Sequence, residues 1–384
     1  MDFLRLYGTF QLRFITLKLA NRNLDMSKKN YVFVAVDAGS GNVALTFERD
    51  GKMETYVTPS LVRSGSQQTL ASETSSSWLT TDNGRERSYV VVNKGTDLVD
   101  TCDPDYQVSA AHRVLVNEAL VRAGLDGADV ILAETLPVNQ FYSDIGKIDR
   151  VRTKAKADNL LIPVRNYNAD IQPPRIAHVE VFPEAVPAVI SAQADFSELL
   201  QAESILVVDL GRFTCDMAVV DKDLQVISRR TTENGIHRMI ERVYALLQEF
   251  EATSGKNINA KSLNIESIDT IIRQGFIGSR LESARSKRID VSGVISQAAS
   301  ELAEIIRADI RKVHRNMLDI DALLLVGGGA NYIGGRLHGM PDYTADWHDL
   351  VFIPEYPETS IVRGVYFALD PVRDEILAEL SERN

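Results

Sequence analysis

Three short stretches of this chain set acids beside small residues in a pattern suited to phosphate and metal chemistry. In the first, Asp37 is followed by Gly39, Ser40, Gly41 and Asn42. Small residues let backbone N–H groups approach phosphate oxygens, and an acid at a strand end is placed to hold a hydrated Mg²⁺ ion. The second stretch repeats the design with Asp209, Gly211, Thr214 and Asp216. Its Arg212-Phe213 pair stands where small, flexible residues are expected. Arg212 is either a phosphate or partner contact or a solvated loop side chain. The third stretch is Gly327-Gly328-Gly329 between Val326 and Ala330, glycines that permit a ligand such as adenosine to lie flat on the backbone. Taken singly, the first pattern also occurs in ordinary hairpins and the third in tight strand-to-helix turns. Their joint occurrence in this order is far more specific.

The elements around these stretches are legible from periodicity. Tyr31 to Asp37 is an apolar run that reads as a buried strand leading into the first loop. Val43 to Arg49 resumes as a strand, Asp50-Gly51 is a hairpin signal, and Lys52 to Thr58 returns. The same order of events begins again after Glu203, with strands at Ser204–Leu210, Met217–Val220 and Leu224–Arg230. The repetition predicts two α/β lobes with related cores. Helices are expected at Ala110–Ala123, capped by Ser109 and stopped by Gly124, at Glu184–Ala192, at Val291–Met317 and at Glu358–Leu369, the last packed against one lobe. Further strands are expected at Ala128–Leu136, Val179–Phe182 and Ala322–Val326. Residues 64–88 are rich in Ser, Thr, Gln and Asn and read as too polar for core, part of a small, mobile subdomain.

Composition narrows the function classes. The 384 residues include 42 basic and 53 acidic side chains, a net charge of −11 that repels nucleic-acid phosphates and argues against direct, non-specific DNA binding. Two cysteines, far apart, fit a reduced cytoplasmic compartment, and scattered histidines offer no zinc spacing. No run approaches the roughly 20 apolar residues of a membrane span. Residues 1–29 read as an N-terminal extension outside the fold, with an amphipathic membrane anchor as the alternative. Neither a Gly-x-x-x-x-Gly-Lys-Ser/Thr loop nor a dinucleotide-binding Gly-x-Gly-x-x-Gly is present.

The set of motifs resembles the actin, Hsp70 and sugar-kinase superfamily, and within it the plasmid-segregation actin-like proteins of the ParM/StbA type. Val36–Asn42 resembles their first phosphate loop, and Thr135-Leu136-Pro137 with Phe141-Tyr142 their first connection. Val181 to Ala188, with its Pro-Glu-x-x-Pro-Ala core, resembles the stretch that supplies their catalytic glutamate, here Glu184. Val208–Gly211 and Leu325–Ala330 resemble the second phosphate loop and the adenosine loop.

The resemblance implies an actin-like two-lobed ATPase fold, with residues 30–195 plus about 335–384 as lobe I and 196–334 as lobe II. It implies ATP, with GTP as the alternative, and Mg²⁺ held largely through water by Asp37 and Asp209. Glu184 would activate the attacking water, helped by Asp209; the bland alternative is an acid at a helix N-terminus. It further implies ATP-dependent filaments and a DNA-binding adaptor of ParR/StbB type on a centromere-like plasmid site. A small-molecule kinase of the same fold is the second reading. An Hsp70 would need a peptide-binding domain beyond the ATPase, for which the chain to Asn384 leaves no room. Two departures stand out. Ala44 occupies the position where relatives often carry a phosphate-reaching lysine, and Arg212 stands where they usually carry Gly.

Overall fold

The computed structural model describes residues 30–65, 76–95, 97–314, 319–337 and 350–382. The proposed extension at 1–29 lies outside the described residues. Strand β1 (Val32–Ala38) pairs antiparallel with β2 (Asn42–Arg49), and β3 (Lys52–Pro59) follows through Asp50 and Gly51 at φ 52° and 74°. Two successive left-handed residues are what an Asp-Gly hairpin supplies.

The chain continues through β4 (Val62–Ser64), β5 (Ser77–Asp82), β6 (Arg85–Val91), helix α1 (Ala110–Arg122), β7 (Asp129–Leu136), α2 (Val138–Phe141) and α3 (Arg150–Leu161). It then forms β8 (Val164–Asn166), β9 (Arg175–Pro183) and α4 (Val186–Asp195). The second unit holds β10 (Ser204–Leu210), β11 (Cys215–Asp221), β12 (Val226–Thr232), α5 (Ile236–Ser254), α6 (Ile265–Gln274), β13 (Phe276–Ile277), β14 (Ile289–Asp290), α7 (Ser292–Val313), β15 (Ala322–Val326), α8 (Ala330–Leu337) and β16 (Val351–Phe352). Helices α9 (Ser360–Leu369) and α10 (Arg373–Glu382) close the described chain.

The duplication is explicit in the topology. One sheet has the order β3-β2-β1-β7-β9 and the other β12-β11-β10-β15-β16, each a meander extended by two parallel strands. Side-chain alternation assigns the two faces of each sheet to different cores. Leu206, Val208 and Leu210 join α5, α6, α7 and α8 on the outer face of the second sheet. Ile205 and Val207 point the other way, into a shared core built from α4, α9 and both sheets. The outer face of the first sheet is covered by α1. No helix among the described residues is long and apolar enough to cross a membrane.

Three expectations change. Within 64–88, residues 66–75 lie outside the described set, but Ser77, Trp78 and Thr80 are buried in a small sheet of order β4-β6-β5-β8. Its polar strands are internal because Trp78 Nε1 and Ser76 Oγ both donate to Glu118, at 2.7 and 2.8 Å. The helix expected from Glu184 starts two residues later, at Val186. Strand β16 pairs with β15 in the second sheet, so a return to the first lobe near residue 335 is too early. Helices α3, α5, α6 and α10 carry no expectation above, although α5 and α6 form much of the second outer core.

Candidate functional site

Because β1 and β10 occupy equivalent places in the two sheets, their C-terminal ends meet across one cleft of about 350 Å³. The candidate binding and catalytic residues line it: Asp37 and Gly39–Asn42 on one side, Asp209, Gly211, Arg212 and Thr214 opposite, Gly327–Gly329 beside them, and Glu184 at the end of β9.

The first loop is held from behind. Four successive carbonyls, of Ala38, Gly39, Ser40 and Gly41, accept from Gln107 Nε2, Ser60 Oγ, Thr101 Oγ1 and the Ser60 amide. An anionic ligand would therefore meet the amide side of this loop. The second loop sits on the start of α5. The Ile236 and His237 amides donate to Gly211 O and Arg212 O at 3.1 and 2.9 Å. The third loop lies flat on β10. A β-carbon at Gly327, where φ is 82°, would stand 2.3 Å from Asp209 Oδ1, and one at Gly329 would stand 2.3 Å from Leu210 Cγ. Only glycine permits that approach.

Arg212 reaches across the cleft. Its Cβ lies where a β-carbon on Gly41 would be 2.9 Å away, and its guanidinium stands 5.5 Å over the Phe213 ring. The stem of the side chain thus packs between the two loops, while the residue as a whole stays exposed to solvent.

Four acids converge here without enough cations. Burial lifts the Asp37 carboxyl to about 6, opposed by a 2.8 Å hydrogen bond from Thr135 Oγ1. Burial also raises Asp209 and Glu184 well above the usual carboxylate range, and Asp37 and Asp216 raise both further. Asp216 is raised by burial, against hydrogen bonds from Thr231 and Thr214 at 2.6 and 2.9 Å. Mutual repulsion of this kind is relieved when a cation enters. No three potential ligand side chains converge as a metal cage among the described residues. A site of one or two carboxylates that leaves the remaining positions to water and phosphate oxygens suits Mg²⁺.

Two features escaped the sequence reading. Ala44, the position of the missing lysine, is buried in the shared core. The cation facing the acids is Lys156 of α3, fully buried, 2.7 Å from Glu134 Oε2 and 2.9 Å from His112 Nε2, and bonded to Gln107 Oε1. It opposes the raised pKa of both Asp37 and Glu184. Nothing in the local sequence separates Lys156 from the exposed Lys154 on the same helix.

The second feature is Ala185, whose φ and ψ of 75° and −55° form a γ-turn in which the Val186 amide donates to Glu184 O at 3.0 Å. A non-glycine residue at this φ is strained. The Glu184 amide donates to Leu136 O at 2.9 Å, so the acid is fixed to the end of β7 on one side and to the strained turn on the other.

Comparison with known proteins agrees with this architecture. Residues 32–195 match the family model for the N-terminal part of plasmid segregation protein ParM (StbA), and residues 207–339 match that for the C-terminal part of the archaeal actin homologue MreB-like proteins. No curated protein matches the chain by sequence. Among solved structures, the archaeal actin homologue Ta0583 in complex with ADP is similar at 19% identity and TM-score 0.64, over 88% of this chain and 99% of its own. A 15-stranded ParM filament from Clostridium botulinum is similar at 17% identity and TM-score 0.61, over 89% and 99%. Bacillus thuringiensis ParM with ATP is similar at 13% identity and TM-score 0.58, over 91% and 100%. At these identities the structural likeness establishes the fold, which is actin-like.

Proposed function

We propose, for a chain that belongs to the actin-like proteins with a ParM/StbA N-terminal domain, that it is an ATPase whose nucleotide state governs its assembly into filaments. The observation that carries this is the single cleft into which two equivalent acid-and-glycine loops, a third glycine loop and Glu184 converge. ATP is the nucleotide proposed, with GTP as the alternative, and a bound Mg²⁺ would supply neutralisation of the transferring phosphoryl charge.

Asp37 and Asp209 are the residues proposed to hold the ion, largely through water. The amides of Gly39–Asn42, together with Gly211 and Thr214, would take phosphate oxygens, and Arg212 would supply a positive charge from across the cleft. Gly327–Gly329 would receive the adenosine. Glu184 would orient or deprotonate the attacking water, with Asp209 assisting. Its raised pKa suits a base only when a cation or Lys156 restores the charged form.

The similar structures include a ParM filament, which supports head-to-tail self-association here. Plasmid DNA segregation through a ParR/StbB-type adaptor, in the cytoplasm, is the biological role proposed. The net charge of −11 disfavours direct contact with DNA and favours such an intermediary.

Light scattering of the purified chain with Mg²⁺-ATP, with ADP and with a slowly hydrolysed ATP analogue tests the proposal. Scattering should rise with ATP, persist with the analogue and decay as ATP is spent. ATP binding without scattering at any protein concentration would overturn the filament reading and favour a small-molecule kinase.

A further inference from the structure

On a chain of net charge −11, the segment between β13 and β14 is an exception. It carries Arg280, Arg285, Lys287 and Arg288 against Glu282 alone. The segment is built, not loose. Arg288 donates from Nε to Ser279 O at 2.9 Å and from Nη2 to the carbonyls of Arg280 and Leu281 at 2.8 and 3.2 Å. Its guanidinium lies 4.4 Å over the Phe276 ring. The result presents Leu281, 69% exposed, at a fixed tip among the exposed Arg280, Arg285 and Lys287. Arginine is enriched at the energetic centres of protein interfaces, and a tip ordered before any partner arrives lowers the cost of binding.

The opposite character occurs at the far end of the second sheet. Parallel strands β10 and β15 reach the cleft with Asp209 and Gly327, so their first residues lie about 17 Å away at the other end. There Asp321 Oδ2 accepts from the amides of Glu203 and Ser204 at 2.7 and 3.1 Å, and Ser204 is in register with Asp221 at the turn into β12. That turn carries exposed Asp223. Directly before this edge, Glu198 and the 59%-exposed Leu200 lie on a 3₁₀ turn. The basic tip, in contrast, springs from the cleft wall. Asp269 and Arg273 of α6 line the cleft, α6 ends at Gly275, and β13 follows at once.

We infer that the basic tip around Leu281 docks on the acidic edge around Leu200 of a second copy of this chain, forming the longitudinal contact of the filament. The inference rests on the proposed assembly and names its interface. Copies of a strongly acidic protein repel one another, so a contact between them needs a local patch of opposite sign. Two different, complementary patches on one chain give a heterologous contact that continues as a filament instead of closing as a dimer. Nucleic acid is the less fitting occupant, because the tip is small, presents a leucine and belongs to a chain whose overall charge repels phosphates.

The test uses two variants of the full chain, R285E/K287E at the tip and E198K/D223K at the edge. Each should bind ATP like the parent while its critical concentration for ATP-dependent pelleting rises at least about tenfold. Mixed in equal amounts, the two should pellet together, because each tip then meets an edge of opposite sign. Parent-like pelleting of either variant alone overturns the interface. So does a failure of the mixture when each variant alone fails. Loss of retention on random duplex DNA by the tip variant, with pelleting intact, would assign the tip to nucleic acid instead. A parent chain that binds ATP but never pellets refutes the filament proposal itself, a result distinct from all of these.

Discussion

The backbone carbonyl of Pro187 lies against the Cα of Gly364, so close that a β-carbon at 364 would stand 1.7 Å from the oxygen. The contact joins α4 to α9 in the core shared by the two sheets. It therefore sets the depth at which the helix after Glu184 is seated. Gly364→Ala raises intrinsic helix propensity by about 1 kcal/mol, yet it forces two buried helices apart, at a cost of about 3 kcal/mol or more. The steric effect should win. Urea unfolding should show a lower midpoint with an unchanged slope, and an equal or higher midpoint would mean that the helices separate freely.

Ala185 carries a different kind of tension. Its positive φ costs about 1–3 kcal/mol, and the position is buried. Glycine there relieves the strain but loses a methyl and adds unfolded-state entropy, so Ala185→Gly should leave stability within about 1 kcal/mol of the parent. Valine, β-branched at the same φ, should be strongly destabilising. The informative contrast is turnover. If the turn fixes Glu184, the glycine variant should hydrolyse ATP several-fold more slowly with nucleotide affinity retained. Unchanged turnover would mean that the turn does not position the acid.

The glycine loops and their acids were legible because a loop that must approach a ligand or a strand closely can be written in few residue types. Asp37 and Asp209 stood out because each ends an apolar run of strand length, and the repeated order of strands foretold the matching sheets. Lys156 was invisible because burial of a lysine is decided by what the fold packs over it, here β7 and α1 through Glu134 and His112. Trp78 was misjudged for a related reason. The polar residues around it are internal because they hydrogen-bond to Glu118, a partner about 40 residues away. The strain at Ala185 has no sequence signal, since alanine ordinarily marks a helix interior.

Asp37 gives the free protein an unusual pH response. Burial lifts its carboxyl from an ordinary value of 3.8 to about 6 when folded. Between those values the folded state binds more protons, so stability falls as pH rises through the window. Glu184 and Asp209 shift in the same direction. The nucleotide-free chain should therefore melt higher at pH 5 than at pH 7.5, and saturating Mg²⁺-ATP should reduce or reverse the difference. Thr135→Val removes the hydroxyl that favours the ionised Asp37, so the pH at which Mg²⁺-ATP binding is half lost should move upward. A binding midpoint that does not move would separate Thr135 from the ion site.

Lys156 and Glu134 offer the sharpest separation of stability from chemistry. Both side chains are fully buried, 2.7 Å apart, and burial pushes the lysine below its usual range while Glu134 opposes the shift. Lys156→Met leaves the Glu134 charge inside the protein with only His112 beside it, and burial, the largest cause that holds that imidazole down to about 4 in the parent, still opposes its protonation once the lysine is gone. Removing one partner of a buried pair costs about 3–5 kcal/mol. Changing Glu134 to Gln in the same chain removes the stranded charge while keeping an acceptor for His112, so the double variant should recover much of the lost stability. Its ATP hydrolysis should not recover, because Asp37 and Glu184 would still lack the cation that counters their burial. A double variant that regains both stability and turnover would reduce Lys156 to a structural partner of Glu134, and the charge balance of the cleft would have to come from Arg212 and the bound ion alone.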